Sequence, residues 1–411
     1  MDARRTVRIT VRALTALASA AALLAAGFVW SLHQRVDTAV VTSEAAIPTP
    51  RPTPAGEEFT ALLVGLDART DAHGEPLPPD LLAAMHVGPD EGQFHTDTII
   101  VLHVPAEADE QAVAISIPRD SYVPIAGGHG THKINSAYRR GMSDAEDALR
   151  TQGIEGAELD HRAREAGRRT LVATVQELTG VRIDHFAEIT MAGFVELTEA
   201  LGGVPVCLNA PVHDSYSGVD LPAGRQLVSG ADALKFVRQR HGLDDGDLDR
   251  IARQQAFAAG LTQRLLDGGT LSDPVRLQRL VDIVTRYVML DRGWDLEEAI
   301  VQLRRLSGGA FTFHTIPTGR PDLRTPVDGI AVEIDPEEVR AFVQDLVDPA
   351  PSTPRSSAAP SPGARTADSA PVTVHPAEAP TATEPPVPAT TPATTPATTA
   401  PITADGIPCV D

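Results

Sequence analysis

The sequence predicts an α/β sandwich. Short runs rich in Val, Ile and Leu recur between residues 59 and 348, and segments with helical spacing lie between them. The placement of charge and proline, as uneven as the element pattern is regular, sets this stretch apart from both flanks. Alternation of this kind argues against an all-β fold or a helical bundle.

The elements follow in order. Phe59 to Leu66 (FTALLVGL) reads as a buried strand. Asp97 to Val104 (DTIIVLHV) and Ala112 to Ile117 (AVAISI) read as two more. Arg162 to Leu178 has helical spacing, with Gly180 as its stop. His185 to Thr190 is a strand and Met191 to Leu201 a helix closed by Gly202-Gly203. Val204 to Leu208 is again a strand. Ser229 opens a helix, with Asp232 three residues on in a capping-box-like start. Helices follow at about 250–267, 274–289 and 294–306. Phe311 to Pro317 and Ile330 to Ile334 are strands, and a last helix runs over 336–347.

The 411 residues allow one large domain or two ordinary ones. A hydrophobic fraction of 42% is enough for a core. Two cysteines are too few for a disulfide-dense scaffold or a four-ligand zinc site. The net charge of -20 excludes a broad basic face against nucleic acid. It leaves room for a small basic pocket holding a phosphorylated ligand.

That charge is unevenly spread. Residues 1–12 carry +3, from four arginines against Asp2. Residues 13–32 then run without charge, long enough as a helix to cross a hydrocarbon core of about 30 Å. Arginines in front place the N-terminus in the cytoplasm and the rest outside. A cleaved signal peptide is the rival, but its apolar core is usually shorter, and no clean small-x-small site precedes Trp30. The expectation is an uncleaved single-pass anchor in the cell membrane. Residues 33–58 form a linker with a Pro/Ala/Thr spacer at 45–55. Residues 349–411 hold 15 prolines and three PATT units, and are expected to be a disordered or polyproline-like tail. The domain between, residues 59–348, carries -18.

Four segments of this domain combine charge with strand ends. They are Gly65-Leu66-Asp67-Ala68-Arg69; His95-Thr96-Asp97-Thr98; Pro118-Arg119-Asp120 leading to Lys133-Ile134-Asn135; and Arg238-Gln239-Arg240 followed by Gly246-Asp247 to Gln255. Asp67 and Asp97 border two strands expected to be neighbours. Paired acids at strand ends either cap turns or hold Mg²⁺ with water and phosphate oxygens. Arg238 and Arg240 point to one side if extended. Arg250 and Arg253, three apart on a helix, share a face, with Gln254 close by. Arginine's planar fork suits bidentate phosphate contacts. The bland reading of the helical pair is a solvated network with Asp244, Asp245, Asp247 and Asp249.

Taken together, the segments resemble the LytR-CpsA-Psr family of cell-envelope proteins. The likeness covers about residues 59–260, the motif core, and includes Ile117-Pro118-Arg119-Asp120 and Leu201-Gly202-Gly203-Val204. The Pro/Thr tail looks like actinobacterial members. The resemblance implies a three-layer α/β/α sandwich around a central mixed sheet. It implies a phosphotransferase that moves a glycopolymer from a polyprenyl-pyrophosphate carrier to peptidoglycan, assisted by Mg²⁺ or Mn²⁺. Carried over by position, Asp67 and Asp97 bind the metal, and Arg69 and Arg119 lie with them in the catalytic centre. Arg119, Lys133, Arg238, Arg240 and Gln254 hold the pyrophosphate, supported by Asp247 and Arg250. The family usually has Arg two residues before the second Asp; here that position is His95, and Arg69 is one candidate to compensate.

Phosphoryl transfer depends mainly on positioning and electrostatics, and no Ser or Cys nucleophile motif is evident. Asp120 is a weak candidate proton acceptor. Phe186, Met191, Phe194, Val195 and Leu197 form an apolar cluster read as ordinary core. Cys207 and Cys409 either bridge, stapling the tail to the domain, or stay as thiols, or pair with another chain. Two other functions fit the residues. A polyprenyl-(pyro)phosphate hydrolase or a lipid-carrier binding protein would use the same pocket without polymer transfer. A transcriptional regulator is disfavoured, because an acidic domain outside the membrane has no access to DNA.

Overall fold

The computed structural model describes residues 40–44, 46–47, 57–88, 92, 94–107, 110–239, 241–243, 247–266, 273–294, 311–348, 402–403 and 407–411. The expected anchor at 13–32 lies outside these residues, as does nearly all of the helix expected at 294–306. Among the described residues no helix is long and apolar enough to cross a membrane.

The elements in chain order are β1 (Val41–Ser43), β2 (Phe59–Asp67), α1 (Pro79–Ala84), β3 (His95–Val104), β4 (Ala112–Ser116), β5 (Ser121–Pro124) and β6 (Thr131–Lys133). A 3₁₀ turn, Ile134–Ser136, leads into α2 (Ala137–Thr151) and α3 (Gly156–Thr179). Next come β7 (His185–Thr190), α4 (Met191–Ala200), β8 (Val204–Leu208), β9 (Val212–Asp214), β10 (Val219–Leu221), β11 (Gly224–Val228) and α5 (Gly230–Arg238). Then follow α6 (Asp247–Leu266), α7 (Pro274–Tyr287), β12 (Val288–Asp291), β13 (Phe311–Thr315), β14 (Leu323–Arg324), β15 (Ile330–Glu333) and α8 (Pro336–Val347). β16 (Ile402–Thr403) and β17 (Cys409–Val410) close the chain.

Local chemistry sets many of these bounds. Thr190 caps α4, accepting from the Gly193 amide. Asp273 and Asp335 cap α7 and α8, each followed by a proline at the first helical position. Gly180 ends α3 in the left-handed conformation, as expected. The Ser229 cap does not form. The Gly230 amide donates instead to Thr198 Oγ1 at 2.8 Å, so α5 is tied to α4 rather than capped by its own Ser.

A mixed sheet of order β1-β12-β7-β2-β3-β4-β13-β16 forms the centre. β2 pairs antiparallel with β3 and parallel with β7, so the two strands that carry Asp67 and Asp97 are neighbours. Side chains alternate across the sheet. Leu62, Val64, Ile99, Val101 and Ile115 face a core built with Tyr138 and Met142 of α2, Leu171 and Val175 of α3, and Val339 of α8. Ala61, Leu102, Ala114 and Phe313 face the other way, toward Ala259 of α6. Helices thus cover both faces, as expected.

Two readings of the flanks need correction. The 33–58 linker contributes β1, which pairs in parallel with β12 at the sheet edge. The expected tail is not tail throughout: β16 pairs with β13, and β17 pairs with β8. Cys207 and Cys409 form a disulfide there, and Val410 is buried in the core of α4 to α7. Cys409 and Val410 supply the covalent and apolar contacts that the proline-rich average conceals.

Candidate functional site

The cavity follows from one face of α6. Arg250, Gln254, Phe257, Leu261 and Leu265 recur at helical spacing and all line it. The stripe is polar at the helix N-terminal end and apolar beyond. Gly260, on the opposite side, lets α6 press onto β8: a Cβ there would sit 2.4 Å from the Pro205 carbonyl oxygen. The sheet supplies the facing wall through Leu63, Ile100, Leu102, Ala114 and Phe313, and α4 adds Met191 and Phe194. The volume enclosed is about 640 Å³.

The polar end gathers Asp67, Asp97, Arg119, Arg238, Arg250 and Gln254. Between Gly65↔Thr98 and Leu66↔Thr96 the register shifts, so Asp97 is the extra residue of a β-bulge. A bulge re-aims a side chain, and here it brings Asp97 to the cavity. Arg119 Nη1 donates to Asp97 Oδ1 at 2.8 Å. Burial pushes the Asp97 carboxyl up, but the charges of Arg119, Arg250 and Arg238 and the Arg119 hydrogen bond outweigh it and hold it below its ordinary value. Arg238 donates to the Met85 carbonyl at 3.5 Å, and Gln254 Nε2 to the Val237 carbonyl at 3.3 Å. Glu188 also reaches the wall, but both its oxygens accept from Arg168 at 3.1 and 3.0 Å.

Other expected residues are placed differently. Arg69 is buried, paired with Asp67 and donating to the Gly88 carbonyl, and does not line the cavity. It orients Asp67 from behind. Lys133 lies 3.2 Å from Asp120, and neither lines the cavity. Their ion pair joins β6 to the loop before β5. Arg250 and Arg253 do not share the site. The cavity stripe passes through Arg250, while Arg253 is fully buried under it, bonded to Gln239 Oε1 and to the Asp411 carbonyl. Arg240 lies outside the described residues, and nothing is described of the Asp247 side chain. His95 faces Asp67 across the strands, with Nδ1 buried and unpartnered among the described residues.

Sequence reasoning missed part of the wall. Met191 and Phe194, read as core, line the cavity, whereas Phe186 and Val195 are core. Tyr216 and His241, at the same cavity, were not singled out. Apolar spacing marks a buried helix face but does not say whether protein or ligand covers it.

Among the described residues no group of three or more His, Cys, Asp or Glu could hold a metal. The donor set is the two carboxylates. Two hard oxygen donors, at least one held ionised, fit Mg²⁺ or Mn²⁺ completed by water and substrate phosphate.

The LytR_cpsA_psr family model matches residues 31–318. Among curated proteins, the chain is 45% identical over 294 residues to the cell wall biosynthesis protein LcpA of Corynebacterium glutamicum, covering 71% of this chain and 56% of that one. It is 28% identical to the polyisoprenyl-teichoic acid–peptidoglycan teichoic acid transferase TagU of Enterococcus faecalis, over 58% of this chain and 63% of that one. The chain thus spans little more than half the length of the curated relatives it matches. Among solved structures, TagV of Bacillus subtilis superposes with a TM-score of 0.52 at 20% identity, covering 72% of this chain and 99% of that one. At that identity the likeness is one of fold.

Proposed function

Because the chain belongs to the LytR-CpsA-Psr family, we propose that it is a membrane-anchored extracytoplasmic phosphotransferase that attaches a glycopolymer from a polyprenyl-pyrophosphate carrier to peptidoglycan. One observation carries this reading: a single cavity with a long apolar wall and a cationic end where two carboxylates meet three arginines. A polyprenyl chain suits the wall, and a pyrophosphate suits the end.

Arg119, Arg238 and Arg250 would spread the negative charge of the pyrophosphate, with Gln254 donating to it. Arg119 also holds Asp97 ionised and aimed. Arg69 pairs with Asp67 and aims it. Asp67 and Asp97 would hold Mg²⁺ or Mn²⁺, which when bound supplies further neutralisation of phosphate charge. A peptidoglycan hydroxyl then attacks the phosphorus bearing the glycopolymer. The new O–P bond forms as the bridging P–O bond breaks, the hydroxyl proton passes to water or to the departing phosphate, and polyprenyl phosphate leaves. Catalysis of this kind asks for positioning and charge rather than a protein nucleophile. The uncharged run at residues 13–32 would anchor the domain outside the membrane.

The test is transfer itself. Purified full-length protein with a polyprenyl-pyrophosphate-linked oligosaccharide and peptidoglycan should yield covalently attached sugar. Release of free oligosaccharide phosphate with no attachment would support the hydrolase reading instead.

A further inference from the structure

A stacked pair of rings sits on the cavity beside the arginines, and the reaction just described gives it no task. Tyr216 packs on His241 with ring centroids 4.0 Å apart and planes 23° from parallel. Tyr216 is 73% exposed, unusual for a ring so held. Both residues line the cavity, and His241 follows Arg238 by three positions.

The pair is built to stay in place. Tyr216 lies at the tip of the β9–β10 hairpin, where Asp214 accepts from the Tyr216 amide, the Ser217 amide and Ser217 Oγ at 2.9, 3.2 and 2.7 Å. The next residue, Gly218, has φ +76° and packs against His86. His241 is held from the other side. Its carbonyl accepts from Gln239 Nε2 at 3.0 Å, and Gln239 is in turn gripped by the buried Arg253.

The chemistry of the spot narrows the ligand. Burial pushes the Asp214 carboxyl up, but the Ser217 hydroxyl, the two amides and nearby His241 more than offset it and keep it ionised below its ordinary value. An anion in the same hairpin, also lining the cavity, disfavours a further phosphate there. The apolar chain already has its own wall on α4 and α6. What remains is a neutral ring with an apolar C–H face, next to a phosphate, and an aromatic face attracts such C–H groups.

We propose that Tyr216, backed by His241, is a stacking platform for a pyranose ring placed next to the pyrophosphate, and so a specificity-determining residue. This rests on the function proposed above. The ring has two possible sources, the first sugar of the carried glycopolymer or the acceptor sugar of peptidoglycan.

The experiment uses the full-length protein and its Tyr216→Ala and Tyr216→Phe variants. Three probes are compared: bare polyprenyl pyrophosphate, the same carrier bearing one N-acetylglucosamine, and uncross-linked glycan strands as acceptor. Losing one ring contact should cost about three- to tenfold in affinity. If the sugar is the donor's, Tyr216→Ala weakens the sugar-bearing carrier by that factor and leaves the bare carrier unchanged. If it is the acceptor's, the KM for glycan strands rises by that factor and both carriers bind as before. Tyr216→Phe, which keeps the ring, stays near wild type in either case. The platform is overturned if Tyr216→Ala changes neither quantity, or if it weakens bare and sugar-bearing carrier equally. Failure of the wild-type protein to bind any polyprenyl pyrophosphate would instead remove the parent function.

Discussion

Arg119 and Asp97 act as one unit, and the consequence is a pH profile. A carboxyl whose folded pKa lies below its unfolded value contributes stability above about pH 3.9, which is lost as pH falls through the folded value. Asp97 is such a group, so it should not set the acid limb of activity above about pH 4. Arg119→Ala removes both its nearest charge and its hydrogen bond. The variant should lose at least about 100-fold in kcat, the scale of deleting one preorganised donor. Its residual activity should also fall off at higher pH than wild type, read from kcat/KM against pH. Residues of this kind were legible because a charge at a strand end is conspicuous. For Lys133 and Arg253, sequence spacing fixes neither the partner nor the side of the helix. Lys133 found Asp120, and Arg253 found Gln239 and Asp411.

Elements were read well where their periodicity was long. The strands from Phe59, Ala112 and His185 and the helices from Met191 and Pro336 lie within a residue or two of expectation. α2 was not read at all, although its buried face, Ala137, Tyr138, Gly141 and Met142, recurs at helical spacing. The same small residues explain how it packs. A Cβ on Gly167 of α3 would lie 2.7 Å from the Tyr138 carbonyl, and one on Gly141 would lie 2.2 Å from Thr170 Oγ1. Gly167→Ala should therefore destabilise the fold by about 1–3 kcal/mol despite its better helix propensity, as measured by urea unfolding. The short strands β9 to β11, β16 and β17 fell below any pattern threshold. The disulfide that secures β17 joins residues 202 apart in sequence. Cys409→Ser should lower stability by about 2–5 kcal/mol, and adding reductant to the wild-type protein should reproduce the shift.

On the scale of the whole molecule, acidity and phosphate binding coexist because they occupy different places. The -18 of residues 59–348 describes the domain as a whole, while the cavity end concentrates Arg119, Arg238 and Arg250. The apolar wall below them was invisible to composition, since a helix face looks alike against protein or lipid. Leu261 lies midway along that wall and is only partly buried. Leu261→Glu should cut polyprenyl-phosphate binding at least about tenfold, because the chain would have to desolvate a carboxylate. Thermal stability should change little, since the site already borders open space. A variant that binds the lipid normally would move the chain to another surface.

The two anchored ends of residues 349–400 change what cleavage can do. Residue 348 directly follows α8, and Cys409 is bonded to Cys207 in the same folded unit. A protease that cuts once between them releases nothing. The two fragments stay covalently joined and run as one species on a denaturing gel until a thiol is added. A proline- and threonine-rich stretch of this sort can thus be nicked without the loss of β16, β17 or the Asp411 carbonyl that meets Arg253.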